Sequence, residues 1–304
     1  MLKNDCSLLP HYRENIYGLS PQSSQILGWE IILFNIQSFW KKSQGENTKI
    51  AVIDTGCDYN HPDLKNNILQ GINLLNKKQD PYDDHGHGTH VTGSICGENN
   101  GYGMVGIAPK SKVLPIKALD GSGNGNNINI AKGIVFAADN KCDFITMSLG
   151  SPSNSKDIYN AIKYAIKKGC VIFCAAGNSG ETSPIMYPAK YDETIAIGSI
   201  DRNLNRSSFT CKGNELDFLS PGQDIVSCVP NNSYAAMSGT SMANPFAVGC
   251  ASLLLSYSRQ TKSLKLNNTA DYISIFSQCA SQLKNKKFRT KEYQGYGILR
   301  LPNI

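Results

Sequence analysis

Short apolar runs recur through the middle of the chain, and polar or small residues follow most of them. The runs are 49–53, 113–116, 144–147, 170–174 and 194–198. Runs that are apolar on both faces are typical of strands in a parallel sheet that helices cover on both sides. Pro115 lacks the N–H that a strand ladder uses, so we expect its strand to avoid the centre of the sheet or to carry a bulge.

Stretches with helical spacing of apolar residues lie between these runs. Residues 128–140 and 156–168 each have one apolar face, and Gly169 is placed to cap the second stretch. The stretch 241–255 is apolar nearly all round, which predicts a central helix. The alternation predicts an α/β fold of one domain, with a doubly wound, mostly parallel sheet and helices on both faces. Ligands in such folds bind at the carboxyl ends of the strands.

The composition of the 304 residues is that of a globular protein, with 40% hydrophobic residues. No linker, low-complexity segment or internal repeat divides the chain. The net charge of +6 is mild and the lysines are dispersed, which argues against a nucleic-acid partner. No apolar run approaches the ~20 residues that a bilayer span needs, so we expect no membrane partner.

The first residues and the cysteines indicate the compartment. Residues 1–14 contain no apolar core of the signal-peptide kind, so export by the usual route is not expected. The ten cysteines are scattered through apparent core elements, without a CxxC pair or a zinc spacing. We interpret them as buried, reduced thiols of a cytoplasmic protein.

Three residues far apart in the chain carry the chemistry of an activated hydroxyl. A serine is a poor nucleophile at neutral pH and needs a base, which in turn needs a third group to hold its tautomer. Asp54 ends an apolar run, His87 precedes Gly-Thr, and Ser241 opens the apolar helix. The alternative to a catalytic role is that Asp54 caps the turn after its strand and that Ser241 is an ordinary helix N-cap. His87 with His85 and His90 is a further alternative as a zinc site, although spacings of two and three residues fit zinc poorly.

Five segments in this order carry a resemblance to a known family. They are Val52-Ile53-Asp54-Thr55-Gly56, His61-Pro62-Asp63-Leu64, His87-Gly88-Thr89-His90-Val91, Ala175-Ala176-Gly177-Asn178 and Gly239-Thr240-Ser241-Met242-Ala243. On these segments the chain resembles the subtilisin family of serine proteases over roughly residues 45–300, and most of all the intracellular subtilisins.

The resemblance implies a subtilisin-like fold and a serine endopeptidase that forms an acyl-enzyme on Ser241. His87 would be the base and Asp54 the residue that orients it, which leaves His90 as a packed histidine. Asn178 and the Ser241 backbone N–H would bind the oxyanion. Without the other motifs, Asn178 would be interpreted as a turn residue in Gly177-Asn178-Ser179-Gly180.

The resemblance also implies that a peptide substrate binds as an added strand between two backbone segments. The implied substrate-binding residues are Gly123, Asn124 and Gly125 on one side and Ser148, Leu149 and Gly150 on the other. Ala175, Ala176 and Gly177 would complete the walls of the primary specificity pocket, with Met186 near its floor. Since many relatives have a smaller residue there, we expect a shallow apolar pocket that prefers Leu or Met to Tyr or Phe.

Calcium is the cofactor that the resemblance implies, in a structural role. Asp63 matches a calcium ligand of the family, and the loop 98–104 keeps the family length after His87. The implied ligands are the side chains of Gln25, Asp63 and Asn100 and the backbone carbonyls of Glu98, Tyr102 and Met104. Such a set of hard oxygen ligands suits Ca²⁺. A polar surface loop without a metal is the alternative.

The first 24 residues are predicted to be separate from the peptidase domain, which would span residues 25–304. Leu9-Pro10 resembles the inhibitory motif of the intracellular subtilisins, in which a proline kinks the segment that covers the cleft. His11 stands where those relatives have an aromatic residue. We therefore predict that residues 1–24 form an inhibitory propeptide, with a disordered leader as the alternative.

The sequence as a whole predicts an intracellular, cytoplasmic serine endopeptidase that acts on peptides or proteins. A homodimer is expected from the likeness to the intracellular subtilisins. One alternative is a cytosolic leader peptidase that trims a single ribosomal peptide precursor. The other is a catalytically inactive relative that binds peptides, against which the intact Asp54, His87, Ser241 and Asn178 argue.

Overall fold

A computed structural model describes residues 6–16 and 24–304 of the chain. Residues 1–5 and 17–23 of the predicted extension lie outside the described residues. Within the described ranges, no helix is both long enough and apolar enough to cross a membrane.

The described residues form strands and helices in alternation. The strands are β1 Cys6–Leu8, β2 Tyr12–Ile16, β3 Lys49–Asp54, β4 Ile72–Asn73, β5 Lys112–Lys117, β6 Asn124–Gly125, β7 Phe144–Met147, β8 Leu149–Gly150, β9 Val171–Ala175, β10 Ile195–Ile200, β11 Phe218–Pro221, β12 Ile225–Val229 and β13 Ser233–Ser238. The helices are α1 Trp29–Leu33, α2 Ile36–Trp40, α3 His87–Cys96, α4 Asn127–Asp139, α5 Lys156–Lys167, α6 Thr240–Thr261, α7 Thr269–Cys279 and α8 Lys291–Gln294, with a 3₁₀ turn at Lys286–Phe288.

A parallel sheet of seven strands forms the centre, in the order β11-β10-β9-β7-β3-β5-β4. Successive side chains of a strand point to opposite faces, and β3 shows the consequence. Ile50 and Val52 pack into the core that includes α3 and α6, whereas Ala51 and Ile53 pack into the core that includes α4 and α5. The predicted α/β fold with helices on both faces is therefore confirmed.

The predicted helices are confirmed to within a few residues at most ends. Ser155 accepts a hydrogen bond from the Ile158 N–H at the start of α5, and Gly169 beyond its end has a φ of +92° that favours glycine. α6 begins one residue earlier than predicted and runs six residues further. Pro115 lies in β5, which is next to the edge, and β4 pairs only with Ile116 and Lys117 beyond it.

The cysteines of the domain pack as core residues. In residues 25–304, eight cysteines are buried thiols and Cys279 is partly exposed. The eight are Cys57, Cys96, Cys142, Cys170, Cys174, Cys211, Cys228 and Cys250. Burial raises the pKa of the Cys170 thiol to about 11. Such thiols are poor nucleophiles at neutral pH, because the reactive thiolate is not populated.

Two small antiparallel sheets flank the central sheet and include the N-terminal segment. In the first, β1 lies between β6 and β8. In the second, β2 pairs with β13, which also pairs with β12. Residues 6–16 therefore run across the carboxyl edge of the central sheet, where ligands bind in folds of this kind.

Candidate active site

Asp54 and His87 meet at the carboxyl end of β3. Asp54 is the last residue of that strand and His87 is the first residue of α3, and both are buried. The His87 Nδ1–H donates to Asp54 Oδ1 over 2.8 Å, and the Thr55 N–H donates to the same oxygen. Because Nδ1 carries the proton, Nε2 is the nitrogen that can accept one. Nε2 is buried and has no hydrogen-bond partner among the described residues.

Asp83 holds the turn that leads into His87. Its buried carboxylate accepts the N–H groups of His85, Gly86 and Thr89 and the hydroxyls of Thr55 and Thr89, over 2.6–3.0 Å. Burial alone would raise the pKa of Asp83, but these hydrogen bonds outweigh it and hold the pKa below its usual value. Asp83 was not predicted as a site residue. It accepts from the N–H groups of Gly86 and Thr89 at the start of α3, but it lies three residues before the N-cap position, so the usual capping pattern gave no signal for it.

Ser241 is the second residue of α6 and is fully buried. Its hydroxyl donates to the Ser148 carbonyl over 3.3 Å, while the Ser148 hydroxyl donates to the Ser241 carbonyl over 3.0 Å. That carbonyl needs an outside donor, since Pro245 has no N–H to complete the helical bond four residues on. The Ser241 hydroxyl thus points to Ser148 and not to His87. Without substrate, the hydrogen bond between a nucleophile and its base is often long or poorly aligned, and it tightens when substrate binds.

Asn178 presents its amide nitrogen to the cleft. Its Oδ1 accepts both the backbone N–H of Thr240 at 2.8 Å and the hydroxyl of Thr240 at 2.7 Å. Two donors on one side fix the orientation of the amide, so its NH₂ group faces the other way. That group donates to the carbonyl of Pro10 over 2.6 Å. Thr240 was not predicted as a site residue, although it lies within the Gly-Thr-Ser segment.

The predicted substrate segments are both paired to β1. Ser7 lies opposite Gly150 and Asn124, and Leu8 donates its N–H to the Gly123 carbonyl over 2.8 Å. The structure therefore brings the two segments together on either side of one strand of the chain itself. This strand lies antiparallel to both neighbours, as an added peptide strand would.

Leu9 fills a pocket beside these segments and is only 2% exposed. A Cβ placed on Gly150 would lie 2.6 Å from Leu9 and 3.2 Å from Met186, and one on Gly177 would lie 3.2 Å from Met186. Ala176 accepts the Met186 N–H over 3.0 Å. Met186 thus lies between the two predicted walls of the pocket, one formed by Ser148, Leu149 and Gly150 and the other by Ala175, Ala176 and Gly177.

His11 brings a third imidazole to the site. Its ring centroid is 5.0 Å from that of His87 and 5.9 Å from that of His85. Its Nδ1–H donates to the carbonyl of Leu9 over 3.2 Å, so this carbonyl is turned to His11 while that of Pro10 contacts Asn178. Burial and then His87 lower the pKa of His11 to about 4.

His90 is a packed histidine, as the resemblance implied. It is fully buried, and its Nε2 contacts the carbonyls of Ile225 and Ala235 over 2.9 and 3.2 Å. Burial, followed by the charge of His87, lowers its pKa to about 3. His90 is therefore a neutral residue that ties α3 to β12 and β13.

The predicted calcium ligands converge on Gln25. Its side-chain NH₂ group lies 2.7 Å from the Glu98 carbonyl, 3.3 Å from Asn100 Oδ1, 3.2 Å from the Tyr102 carbonyl and 3.5 Å from the Met104 carbonyl. Asn100 in turn donates to Asp63 over 3.0 Å. These four oxygens surround one point, and a turn of the Gln25 amide would bring its oxygen to the same point in place of the NH₂ group. Such a set of hard oxygens, part of the six to eight that Ca²⁺ takes, fits the ion.

Asp63 is also held from its other side. Its second oxygen accepts the Met104 N–H at 3.0 Å and the Tyr234 hydroxyl at 2.8 Å. Within the described ranges, one group of three His, Cys, Asp or Glu side chains lies close enough to share a metal ion, and it consists of Asp63, His61 and Cys228. Both nitrogens of His61 are engaged there, with the Asp63 N–H and the Ser233 carbonyl, which leaves no free imidazole ligand.

Comparison with known proteins gives the family. A model of the Subtilase family matches residues 45–297, so the chain belongs to that family. It is a serine endopeptidase of the subtilisin type, a hydrolase that acts on peptide or protein substrates.

Among its relatives is the Major intracellular serine protease of Bacillus subtilis (strain 168), 41% identical over 249 residues, which cover 79% of this chain and 77% of that protein. Thermitase of Thermoactinomyces vulgaris is 41% identical over 238 residues, covering 77% and 85%. The Intracellular serine protease of Paenibacillus polymyxa is 42% identical over 223 residues, covering 71% and 68%.

Proposed function

We propose that this endopeptidase works inside the cell through an acyl-enzyme on Ser241, with His87 as base and Asp54 as its orienting partner. The observation that carries the proposal is the 2.8 Å hydrogen bond from His87 Nδ1 to Asp54, which leaves the unpartnered Nε2 as the proton acceptor. The intracellular setting is supported by the likeness to two proteases that are named intracellular.

The first half of the reaction follows from these positions. Ser241 Oγ forms a bond to the carbonyl carbon of the substrate as its proton passes to His87 Nε2. The resulting imidazolium is stabilised by Asp54, which stays ionised. The negative oxygen of the tetrahedral intermediate accepts hydrogen bonds from the Asn178 NH₂ group and the Ser241 N–H, and the helix start of α6 adds a favourable dipole.

The second half reverses the roles of base and acid. His87 returns its proton to the amine nitrogen, the carbon–nitrogen bond breaks, and the acyl group remains on Ser241. Water then attacks the ester carbonyl as His87 takes a proton from it. The bond between the carbonyl carbon and Ser241 Oγ breaks as His87 gives that proton to Oγ, and the acyl group leaves as a carboxylic acid. The Asn178 amide serves both tetrahedral states from one fixed orientation, because Thr240 holds its oxygen.

Calcium is proposed as a structural ion in the loop 98–104. Gln25, Asp63, Asn100 and the carbonyls of Glu98, Tyr102 and Met104 would hold it, and the bound charge would offset the repulsion among their oxygens. The convergence of four of these oxygens around the Gln25 amide supports the assignment.

We further propose that residues 1–24 inhibit the enzyme by occupying the substrate cleft. Support comes from β1, which pairs with both predicted substrate segments, and from Leu9, which fills the predicted specificity pocket. The carbonyl that meets Asn178 belongs to Pro10, one residue beyond Leu9, whereas the Leu9 carbonyl faces His11. The peptide bond after Leu9 therefore does not present its carbonyl to Asn178, and this would protect the segment from cleavage.

Labelling with a fluorophosphonate tests the catalytic proposal. This reagent forms a covalent bond with a serine only where a base activates the hydroxyl. We therefore expect labelling of the protein from which residues 1–24 have been removed, and its loss when Ser241→Ala is introduced there. Ser148→Ala is the control, since Ser148 has a buried hydroxyl beside Ser241 and should not carry the label. Labelling that persists in Ser241→Ala, or no labelling after the N-terminal segment is removed, would exclude this mechanism and favour a peptide-binding protein.

A second measurement separates a general protease from a leader peptidase. Cleavage of a mixture of unrelated unfolded proteins at many sites would support a general endopeptidase, whereas a single cleaved precursor would support the leader peptidase. A homodimer remains a prediction of the likeness to the intracellular relatives.

A further inference from the structure

The N-terminal segment places a titratable side chain directly against the proposed base. His11 lies in the cleft with its ring 5.0 Å from that of His87 and 5.9 Å from that of His85, while the His85 and His87 rings are 6.4 Å apart. The His11 Cβ also lies close to Gly239, at 3.5 Å from the position that a Cβ on that glycine would take. The rings of His11, His85 and His87 are thus neighbours in the cleft, and His11 belongs to the proposed inhibitory segment.

Most of the titratable groups around His11 disfavour a positive charge on its ring. His87 and His85 face it from α3 and the preceding turn, and each becomes cationic when protonated. The carboxylate of Asp54 also faces it, but it is already hydrogen-bonded to His87. Arg13, two residues along the segment, donates to the carbonyl of His85 over 3.3 Å and places a fixed positive charge near the His85 ring. Gly239, which lies close to His11, and Asn178, which contacts the adjacent Pro10, are uncharged.

The hydrogen bonding of the segment fits a neutral His11. Its Nδ1–H already donates to the carbonyl of Leu9, the bond that turns this carbonyl away from Asn178. A proton on Nε2 would strengthen this contact, but it would also place a charge on a largely buried ring, and the cost of burial is the larger effect. Burying a charge beside like charges costs free energy, whereas the same proton costs nothing once the segment has left the cleft.

We propose that His11 makes the inhibitory segment sensitive to acid: the segment stays docked while His11 is neutral, and protonation of His11 releases it from the cleft. This inference rests on the proposed inhibitory role of residues 1–24 and adds the signal that would end the inhibition. An aromatic side chain without a titratable nitrogen would fill the same space at every pH.

The direction and size of the effect follow from linkage. His11 titrates near its ordinary pKa of 6.5 in the released segment and at about 4 in the docked one. Docking is therefore undiminished above pH 6.5 and weakens as the pH falls from 6.5 towards 4. Between pH 7 and pH 5 these two values correspond to a docking equilibrium about 20-fold weaker.

Turnover is a poor readout of this step, because the proposed reaction itself transfers protons and therefore depends on pH in its own right. Hydrogen exchange in the full-length Ser241→Ala protein avoids the problem and prevents self-cleavage. The protection factors of the amides in β1 and β2 report docking, since normalisation to intrinsic rates removes the pH dependence of exchange itself. β3 serves as the internal reference, because it lies in the central sheet and does not depend on the segment.

We expect protection of β1 and β2 to fall about 20-fold from pH 7 to pH 5 while β3 is unchanged. In Ser241→Ala/His11→Phe, protection of the two strands should change less than about three-fold over the same range. Ser241→Ala/His11→Gln is the second control, because glutamine keeps a donor for the Leu9 carbonyl and does not titrate.

Three outcomes would overturn the proposal in different ways. Protection at pH 7 that persists at pH 5 would remove the acid switch and leave the inhibitory role intact. An equal loss of protection in the His11→Phe and His11→Gln proteins would assign the sensitivity to His85 or His87. Exchange of β1 and β2 at the rate of an unfolded peptide at pH 7 would remove the docked segment, and with it both proposals.

Discussion

At the scale of single residues, the candidate site depends on side chains that orient other side chains. Thr240 fixes Asn178, Asp54 fixes His87, and Asp83 fixes the turn before His87. The motifs in the sequence predicted Asp54, His87, Ser241 and Asn178, because short segments of small residues around them are specific. The same motifs could not reveal Thr240 or Asp83 as orienting residues, since the direction of a hydrogen bond depends on backbone positions far apart in the chain.

The Thr240 contact leads to a prediction about the oxyanion donor. Thr240→Val keeps the shape of the side chain and the backbone N–H but removes the hydroxyl that holds Asn178 Oδ1. One such hydrogen bond contributes about 0.5–1.5 kcal/mol, so we expect kcat to fall roughly two- to ten-fold with little change in KM. Asn178→Ala should lower kcat by about 10²–10³-fold, a magnitude known from a subtilisin and carried over to this chain.

Steady-state kinetics on a peptide substrate check both values, and the double variant separates positioning from stability. If Thr240 acts through Asn178, Thr240→Val should have no further effect on kcat in an Asn178→Ala protein. An equal fall in both backgrounds would contradict the positioning role and indicate a general effect, for example through the Gly177 N–H that also contacts the Thr240 hydroxyl.

Met186 leads to a prediction about specificity. It lies close to both Gly150 and Gly177, and we predict that it limits the depth of the pocket beside Leu9. Met186→Ala should deepen the pocket, so the ratio of kcat/KM for Phe to that for Leu before the cleaved bond should rise about ten-fold or more. Met186→Leu keeps the volume and is the control. A wild-type protein that already prefers Tyr or Phe would contradict the shallow pocket.

At the scale of elements, the central sheet and its helices were predictable because strands buried on both faces are apolar throughout. β3 and β9 have this local signal, and helices α4 and α5 have the helical spacing of one apolar face. The pairing of β1 with β6 and β8, and of β2 with β13, has no such signal. Partners more than 100 residues apart are chosen by the folded cleft and not by the short strands themselves.

Helix α1 contains a buried acid that makes stability depend on pH. Glu30 is 5% exposed among Ile107, Ile225 and Phe246, and its Oε2 has no partner in the described part of the chain. Burial raises its pKa from 4.5 to about 7. The pKa of Glu30 is higher in the folded protein than in the unfolded protein. Its contribution to the free energy of unfolding is therefore fully present below pH 4.5 and is lost as the pH rises through about 7.

Glu30→Gln should therefore stabilise the protein more at pH 8 than at pH 5, by about 2 kcal/mol. Urea unfolding in a Ser241→Ala background, which prevents self-digestion, measures the free energy of unfolding at both values. The wild-type and Gln proteins share every other titrating group, so the difference isolates Glu30. A difference that does not change with pH would show that Glu30 is ionised in the folded state over this range.

At the scale of the whole molecule, the loop 98–104 joins the N-terminal part of the domain to the region before α3 through Gln25 and Asp63. A bound ion there would oppose unfolding, by about 2.7 kcal/mol when free Ca²⁺ exceeds its Kd a hundred-fold. We expect a higher Tm in CaCl₂ than in EGTA, and the loss of that difference in Asn100→Ala. Asn99→Ala is the control, because Asn99 is exposed in the same loop. Equal Tm values in both buffers would exclude a stabilising ion.

The proposal that the N-terminal segment inhibits the domain leads to a prediction about Pro10. Its ring restricts the backbone between Leu9 in the pocket and His11 beside His87, and the Pro10 carbonyl, not that of Leu9, meets Asn178. Pro10→Ala frees this backbone, so the bond after Leu9 can reach the oxyanion donor and the segment becomes a substrate. We expect Pro10→Ala to lose its N-terminal residues at least about ten-fold faster than the wild type, as seen by mass spectrometry. Pro10→Ala/Ser241→Ala should stay intact, which shows that the cleavage is the enzyme's own, and cleavage at equal rates in the wild type and in Pro10→Ala would mean that the proline does not protect the segment.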